Sequence, residues 1–252
     1  MTGSGVTLYH GLASTCSKKV RLALYEKGVP FESRLLDLQK FEQHEPAFLA
    51  INPNGVVPAM VHNGHSIVES SVIAQYVDDT FPGLSLTPAD TFDRAEMRLW
   101  LKYSDDVAYK AVYIPTWQFM RTRAEEGLKS EKREETLARM PAGERRERWA
   151  KMAEGGFSEA EIADAYEKMS ALLAKIDGAV AKTGWLAGSD YSLADIANIP
   201  FVDRINNLKP GIVAGGDYPN LADWYARLRA RPAFAKAFDF RDDPRAAELP
   251  NI

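Results

Sequence analysis

Val6-Thr7-Leu8-Tyr9-His10-Gly11-Leu12-Ala13-Ser14-Thr15-Cys16-Ser17-Lys18-Lys19-Val20-Arg21-Leu22-Ala23-Leu24-Tyr25-Glu26-Lys27-Gly28-Val29-Pro30-Phe31 is the stretch that decides the fold. Residues 6–9 are a short β-like run, and residues 11–17 are a loop of small and polar side chains. Residues 18–27 have helical spacing, with Val20, Ala23 and Leu24 on one face. Gly28 stands where a left-handed residue closes a helix, and Pro30 cannot continue one. Residues 31–38 make the second strand. Strand, helix and strand in that order are the unit of a parallel sheet.

Downstream the pattern changes. Residues 57–62 and 66–68 are β-like and meet around Asn63-Gly64, the strongest short hairpin signal. A helix is predicted over 71–80, ended by Pro82. The order β-α-β-(loop or helix)-β-β-α fits a mixed sheet with a hairpin at one edge, the thioredoxin arrangement. From Thr91 onward strand signals almost vanish. Residues 94–123 read as one long helix. Ser158-Glu159-Ala160-Glu161 is a capping box opening a helix to about Thr183, and Ser192-Leu193-Ala194-Asp195 is its aspartate variant. Residues 221–230 form a further helix, stopped by Arg231-Pro232. The expected architecture is an α/β thioredoxin-like N-terminal domain over 1–83 and an all-α C-terminal domain over 92–252.

Composition narrows the function classes. Of 252 residues, 46% are hydrophobic and 26% charged, which is ordinary for a globular chain. A formal net charge of −4 supplies no global attraction to nucleic acid or anionic lipid. No apolar run approaches the ~20 residues of a membrane span, and residues 1–5 lack the features of a secretory signal. The single cysteine, Cys16, excludes an internal disulfide framework and fits a reducing compartment. Histidines 10, 44, 62 and 65 form no metal-ligand pattern with it. The expectation is a cytoplasmic protein without metal, nucleic-acid or membrane partner. The charged stretch 121–154, of mixed sign, reads as solvated helices.

Three short segments carry chemistry. In Asn52-Pro53-Asn54-Gly55-Val56-Val57-Pro58-Ala59-Met60, Pro58 opens a strand where proline cannot donate to the ladder. With a cis bond there, Val57 offers its backbone to an extended peptide, as an added strand would take it; a simple strand-entry proline is the other reading. Glu69-Ser70 lies at a strand-to-helix junction. Ser70 there reads as an N-cap, and the helix N-terminus with Glu69 also suits the α-amino-acid end of a ligand. Ser14-Thr15-Cys16-Ser17 precedes the first helix, whose field favours a thiolate over a thiol; a serine hydroxyl there donates to the thiolate without reacting. An N-cap cluster is the alternative, and for Ser17 the preferred one.

In order and spacing these segments resemble the glutathione transferases. Residues 14–24 are similar to the active-site segment of the zeta class, in which the leading serine of a Ser-Ser-Cys motif stabilises the glutathione thiolate. The Asn-Pro-x-Gly-x-Val-Pro and Glu-Ser segments match the glutathione site shared across the family, and Ser192–Asp195 resembles its structural capping box. Lys40-Phe41-Glu42-Gln43-His44, Ile51-Asn52-Pro53, Pro88-Ala89-Asp90 and Arg94-Ala95-Glu96-Met97-Arg98 look like the bacterial β-etherases of lignin breakdown, which use glutathione to cleave β-aryl ethers. The β-etherase pattern has Asn-Ser where this chain has Cys16-Ser17.

The resemblance implies a homodimer and a set of roles. Ser14, with Cys16 second, serves the glutathione sulfur, flanked by Thr15 and Ser17. Val57 and a cis Pro58 hold the cysteinyl backbone, Glu69 and Ser70 the γ-glutamyl end, and Gln43 with His44 the glycyl carboxylate. Tyr109, Tyr113 and Trp117 recur at helical spacing on the long helix, as core or as the wall for a flat hydrophobic electrophile. Two other functions fit the same residues: Cys16-dependent thiol exchange with glutathione, and non-catalytic binding of glutathione or a hydrophobic ligand.

Overall fold

Alternation and turn chemistry set the N-terminal sheet. In the computed structural model, which describes residues 5–128, 133–153 and 156–249, β1 (Val6–His10) pairs in parallel with β2 (Glu32–Leu35). On its other side it pairs antiparallel with β3 (Ala59–His62), which forms a hairpin with β4 (His65–Val68). The order is β2-β1-β3-β4. Asn63 and Gly64 both have positive φ, 51° and 81°, the geometry of a two-residue turn whose twist matches the strands it joins.

Helix α1 (Thr15–Glu26) crosses between β1 and β2 and packs against α3 (Ser70–Thr80). It starts three residues earlier than periodicity predicts, because Ser14 is its N-cap and accepts a hydrogen bond from the Ser17 amide (3.2 Å). The short helix α2 (Pro46–Leu49) follows a single turn at Glu42–His44. Ser70 proves to be the first residue of α3 and not its cap. Glu69 holds the cap position, with φ 68° and ψ 115° and no capping bond from its side chain.

The remaining elements are helical. The expected single helix over 94–123 is instead α4 (Thr91–Tyr103), a π turn at Ser104–Ala108, and α5 (Tyr109–Leu128). Asp90 caps α4 by accepting from the Phe92 and Asp93 amides at 2.8 and 3.0 Å. The π turn is braced from the helix beneath it: Ser104 donates to the Ala197 carbonyl (3.0 Å), and the Asn198 amide donates to that of Trp100 (3.3 Å). Helices α6 (Arg133–Arg139) and α7 (Glu144–Ala153) fall within the charged stretch, part of which lies outside the described residues. Both capping boxes form, opening α8 (Glu159–Thr183) and α9 (Leu193–Leu208). Helices α10 (Pro219–Arg229) and α11 (Pro232–Phe238) complete the set, followed by a tail with one turn at Pro244–Ala247.

One apolar cluster runs through both halves, from Leu8, Val20 and Ile73 to Met97, Ile196 and Trp224. The tail adds a second cluster: Phe240 and Ala246 cover Leu12 and Leu35. Among the described residues, no helix is long and apolar enough to cross a membrane.

Asp195 anchors the buried end of α9. Its carboxylate accepts from Trp224 Nε1 (2.8 Å) and from the Leu186 and Ser192 amides (3.1 and 3.0 Å). Burial pushes its pKa up to about 6, against the pull of the Trp224 hydrogen bond. Asp195→Ala leaves these three donors buried without their acceptor. It is expected to cost about 3 kcal/mol and lower the thermal midpoint by roughly 6–12 °C in a melting experiment.

Candidate functional site

Between the sheet domain and the helices lies a cavity of about 510 Å³. Its sheet-side wall comes from loops at strand ends. The start of α1 supplies Ser14, Thr15 and Cys16; the loop before α2 supplies Phe41 and Gln43; the β3 entrance supplies Val57 and Pro58; and the start of α3 supplies Glu69 and Ser70. The Val57-Pro58 bond is cis.

Several local devices shape this wall. Asn52 donates to the Val56 carbonyl (2.7 Å) and its own oxygen accepts from the Asn54 amide (3.1 Å), folding the turn ahead of Pro58. Gly55 has φ +61°, and a Cβ there would stand 2.7 Å from His44 Nδ1. Glycine is therefore required on both backbone and steric grounds. Glu69 sits in a backbone region that only surrounding structure sustains for a non-glycine residue, which places its exposed side chain beside Ser70 at the helix start.

Of the predicted site residues, Ser14, Thr15, Cys16, Gln43, Val57, Pro58, Glu69 and Ser70 meet on the one cavity. Two do not reach it. Ser17 is fully buried and its hydroxyl accepts from the Gly11 amide (3.2 Å), so it holds the loop. His44 is buried beneath Gly55, its ring stacked against Phe41 (6.3 Å, 23°). On the helical side Tyr109, Tyr113 and Trp117 all face the cavity. Tyr113 and Trp117 lie 5.6 Å apart.

Sequence reading missed Trp149, Asp105, Thr116 and Arg204 among the residues of this wall. Trp149, from α7, packs edge-on against Trp117 (4.1 Å, 89°) and against Phe41 (4.8 Å, 63°), closing an aromatic box across both domains. A lone tryptophan in a charged, mixed-sign stretch was the available signal. Asp105, on the π turn, is paired with Lys19 (2.8 Å) and accepts from Ser71 (2.9 Å). Arg204, from α9, donates to the Ala13 carbonyl (2.5 Å) and to Thr116 Oγ1 (3.4 Å). Nothing in the sequence marks Asp105, Thr116 or Arg204 as neighbours of Ser14.

The description "Glutathione S-transferase, N-terminal domain" matches residues 8–85, and "Glutathione S-transferase, C-terminal domain" matches residues 117–232. The chain belongs to the glutathione S-transferase family. Protein LigF of Sphingobium sp. (strain NBRC 103272 / SYK-6) is 37% identical over 232 residues, 88% of this chain and 89% of that one. The crystal structure of beta-etherase LigF from Sphingobium sp. strain SYK-6 superposes with a TM-score of 0.85 at 35% identity, covering 94% of this chain and 100% of that one. Glutathione S-transferase GstB of Escherichia coli (strain K12) is 28% identical over 233 residues, 92% of this chain and 96% of that one.

This transferase is an enzyme that takes glutathione as its co-substrate. The cavity has the chemistry for it. Gln43 is buried with its side-chain oxygen unpartnered among the described residues, the β3 entrance brings the cis Val57-Pro58 bond to the cavity, and the α3 start offers a carboxylate beside the helix N-terminus. Gly55→Ala, which forces His44 and the turn apart, is expected to raise the KM for glutathione at least several-fold. Thermal stability should fall by about 1–3 kcal/mol, as read from steady-state kinetics and melting.

Proposed function

We propose that the transferase cleaves β-aryl ethers with glutathione, the sulfur lying at Ser14 and the aromatic ether in the box of Tyr113, Trp117, Trp149 and Phe41. The box carries the reading. It stands on the same cavity as the α1 start, and its planar walls suit an aromatic substrate through ring contacts and burial. The likeness to a named β-etherase over most of the chain supports it.

Each part of the wall then has one task. Val57 holds the cysteinyl backbone, Glu69 and Ser70 take the γ-glutamyl end, and Gln43 takes the glycyl carboxylate. Thr15 flanks the sulfur. Ser14 Oγ already accepts from the Ser17 amide, which leaves its proton to donate to the sulfur. A C–S bond forms at the ether-bearing carbon as the C–O bond breaks, and the electron pair leaves with the aryl oxygen. A phenolate departs and is protonated by water; glutathione remains as a thioether. Holding both reactants in one cavity supplies the orientation.

Cys16 supports a second reading, thiol exchange, because its half-buried side chain lines the same cavity. Two structural readings complete the proposal. The division between domains falls at residues 83–92, between α3 and α4. The working form is a cytoplasmic homodimer, supported by exposed Val72, Phe92 and Leu99 on α3 and α4 and by the single cysteine.

Incubation with glutathione and a β-aryl ether, following phenol release, tests the reaction. Ser14→Ala is expected to lower kcat/KM by about 10²-fold or more while Cys16→Ser retains most of it. Release undiminished in Ser14→Ala but lost in Cys16→Ser would move the chemistry to the thiol. Trp149→Ala should raise the KM for the aryl ether roughly ten-fold, with glutathione KM unchanged.

A further inference from the structure

The loop before Ser14 is held by two buried guanidinium groups from different helices. Arg21, on α1, is fully buried and donates to the carbonyls of Gly11 (3.1 Å), Leu12 (2.9 Å) and Ala237 (2.8 Å), with His10 Nδ1 at 3.0 Å. Arg204, on α9, takes the next carbonyl, that of Ala13. Three consecutive peptide oxygens thus face cations, and the residue that follows them is Ser14. Arg21 stays behind the loop, whereas Arg204 also lines the cavity, bridging from the loop to Thr116 on α5.

We propose that Arg204 is a positioning residue for the bound glutathione sulfur, placing its positive charge beside the Ser14 loop so that the sulfur rests there as a thiolate. The inference rests on glutathione lying in this cavity as proposed above. A thiol becomes nucleophilic at neutral pH where nearby positive charge lowers its pKa. Ser14 supplies one hydrogen bond and the α1 terminus a partial charge; Arg204, itself buried, adds a full charge.

Asp203 is the nearest opposing charge and partly offsets the burial of Arg204. On α9, Asp203 is engaged by Lys18 (3.4 Å), Asn207 (3.4 Å) and the Tyr225 hydroxyl (2.8 Å). On the π turn, Asp105 is paired with Lys19. Glu69 is exposed, and among the described side chains of α5 the titratable groups lining the cavity are the phenols of Tyr109 and Tyr113. Burial lowers Arg204 to about 10, Arg21 to about 9 and Lys18 to about 8, so all three remain mostly cationic at neutral pH.

The test is a pH titration of the thiolate ultraviolet absorbance of bound glutathione, with no electrophile present, in wild type, Arg204→Gln and Arg204→Lys. The glutamine ends at the level of Arg204 Nε, so it gives up the charge together with the Ala13 bond; the lysine keeps the charge and gives up the fork. Arg204→Gln is expected to raise the bound-thiol pKa by about one unit, with roughly ten-fold lower kcat/KM near neutrality that recovers above the new pKa, while KM for glutathione stays put. Arg204→Lys should remain near the wild-type pKa. An unmoved pKa in Arg204→Gln, with any loss of rate not restored at high pH, overturns the proposal. If Arg204→Gln does not fold, a bound-thiol pKa in Arg204→Lys as high as that of free glutathione overturns it instead. A wild-type enzyme that shows no bound thiolate at all sinks the cavity assignment itself, a distinct outcome read without any ether substrate.

Discussion

The site depends on how the chain between β1 and α1 is pinned. A loop of Gly11, Leu12 and Ala13 has no side chain able to fix its own carbonyls. Arg21 and Arg204 do so from below and behind, each buried, each bound to peptide oxygens. Burying a guanidinium is costly unless its donors are satisfied, and carbonyl groups satisfy them without adding opposing charge. The result is an approach to Ser14 held by two cationic side chains. Arg21 holds it from behind the loop, whereas Arg204 also reaches the cavity.

A similar economy braces the opposite end of the cavity. Arg245, from the tail, donates to the Leu35 carbonyl (2.7 Å) and to the Glu42 carboxylate (2.9 and 3.1 Å). Glu42 in turn accepts from the Asp37 amide (2.8 Å). The loop that carries Phe41 and Gln43 is thereby fixed by residues some two hundred positions later. Phe41, with φ 60°, is held in a left-handed conformation and meets Trp149 from α7. The loop that carries Phe41 thus adds its ring to the aromatic wall of the cavity.

The two halves of the molecule are joined by the same kind of interaction. Arg231 makes a two-pronged pair with Glu26 (2.6 and 2.8 Å), and its guanidinium covers the Tyr191 ring at 3.9 Å. With the continuous apolar cluster, these contacts make the cavity a property of both domains together, belonging to neither alone.

The sequence by itself determined the elements whose causes are local. The β-α-β start, the Asn63-Gly64 hairpin, both capping boxes and the Val57-Pro58 segment are each fixed by residues within a few positions of one another. The same holds for the motif residues from Ser14 to Ser70, whose spacing names the family. Tertiary structure alone decided the rest. The local sequence favours Ser17 as a capping residue, yet the fold makes Ser14 the N-cap on the cavity and turns Ser17 into the loop. The π turn that splits the long helix has no signal in periodicity, because it answers to Ser104 and Asn198 meeting α4 and α9 carbonyls. Arg204, Trp149 and the tail residue Arg245 act on partners more than thirty residues away in the chain, and long-range contacts of this sort leave no periodic trace in a single sequence.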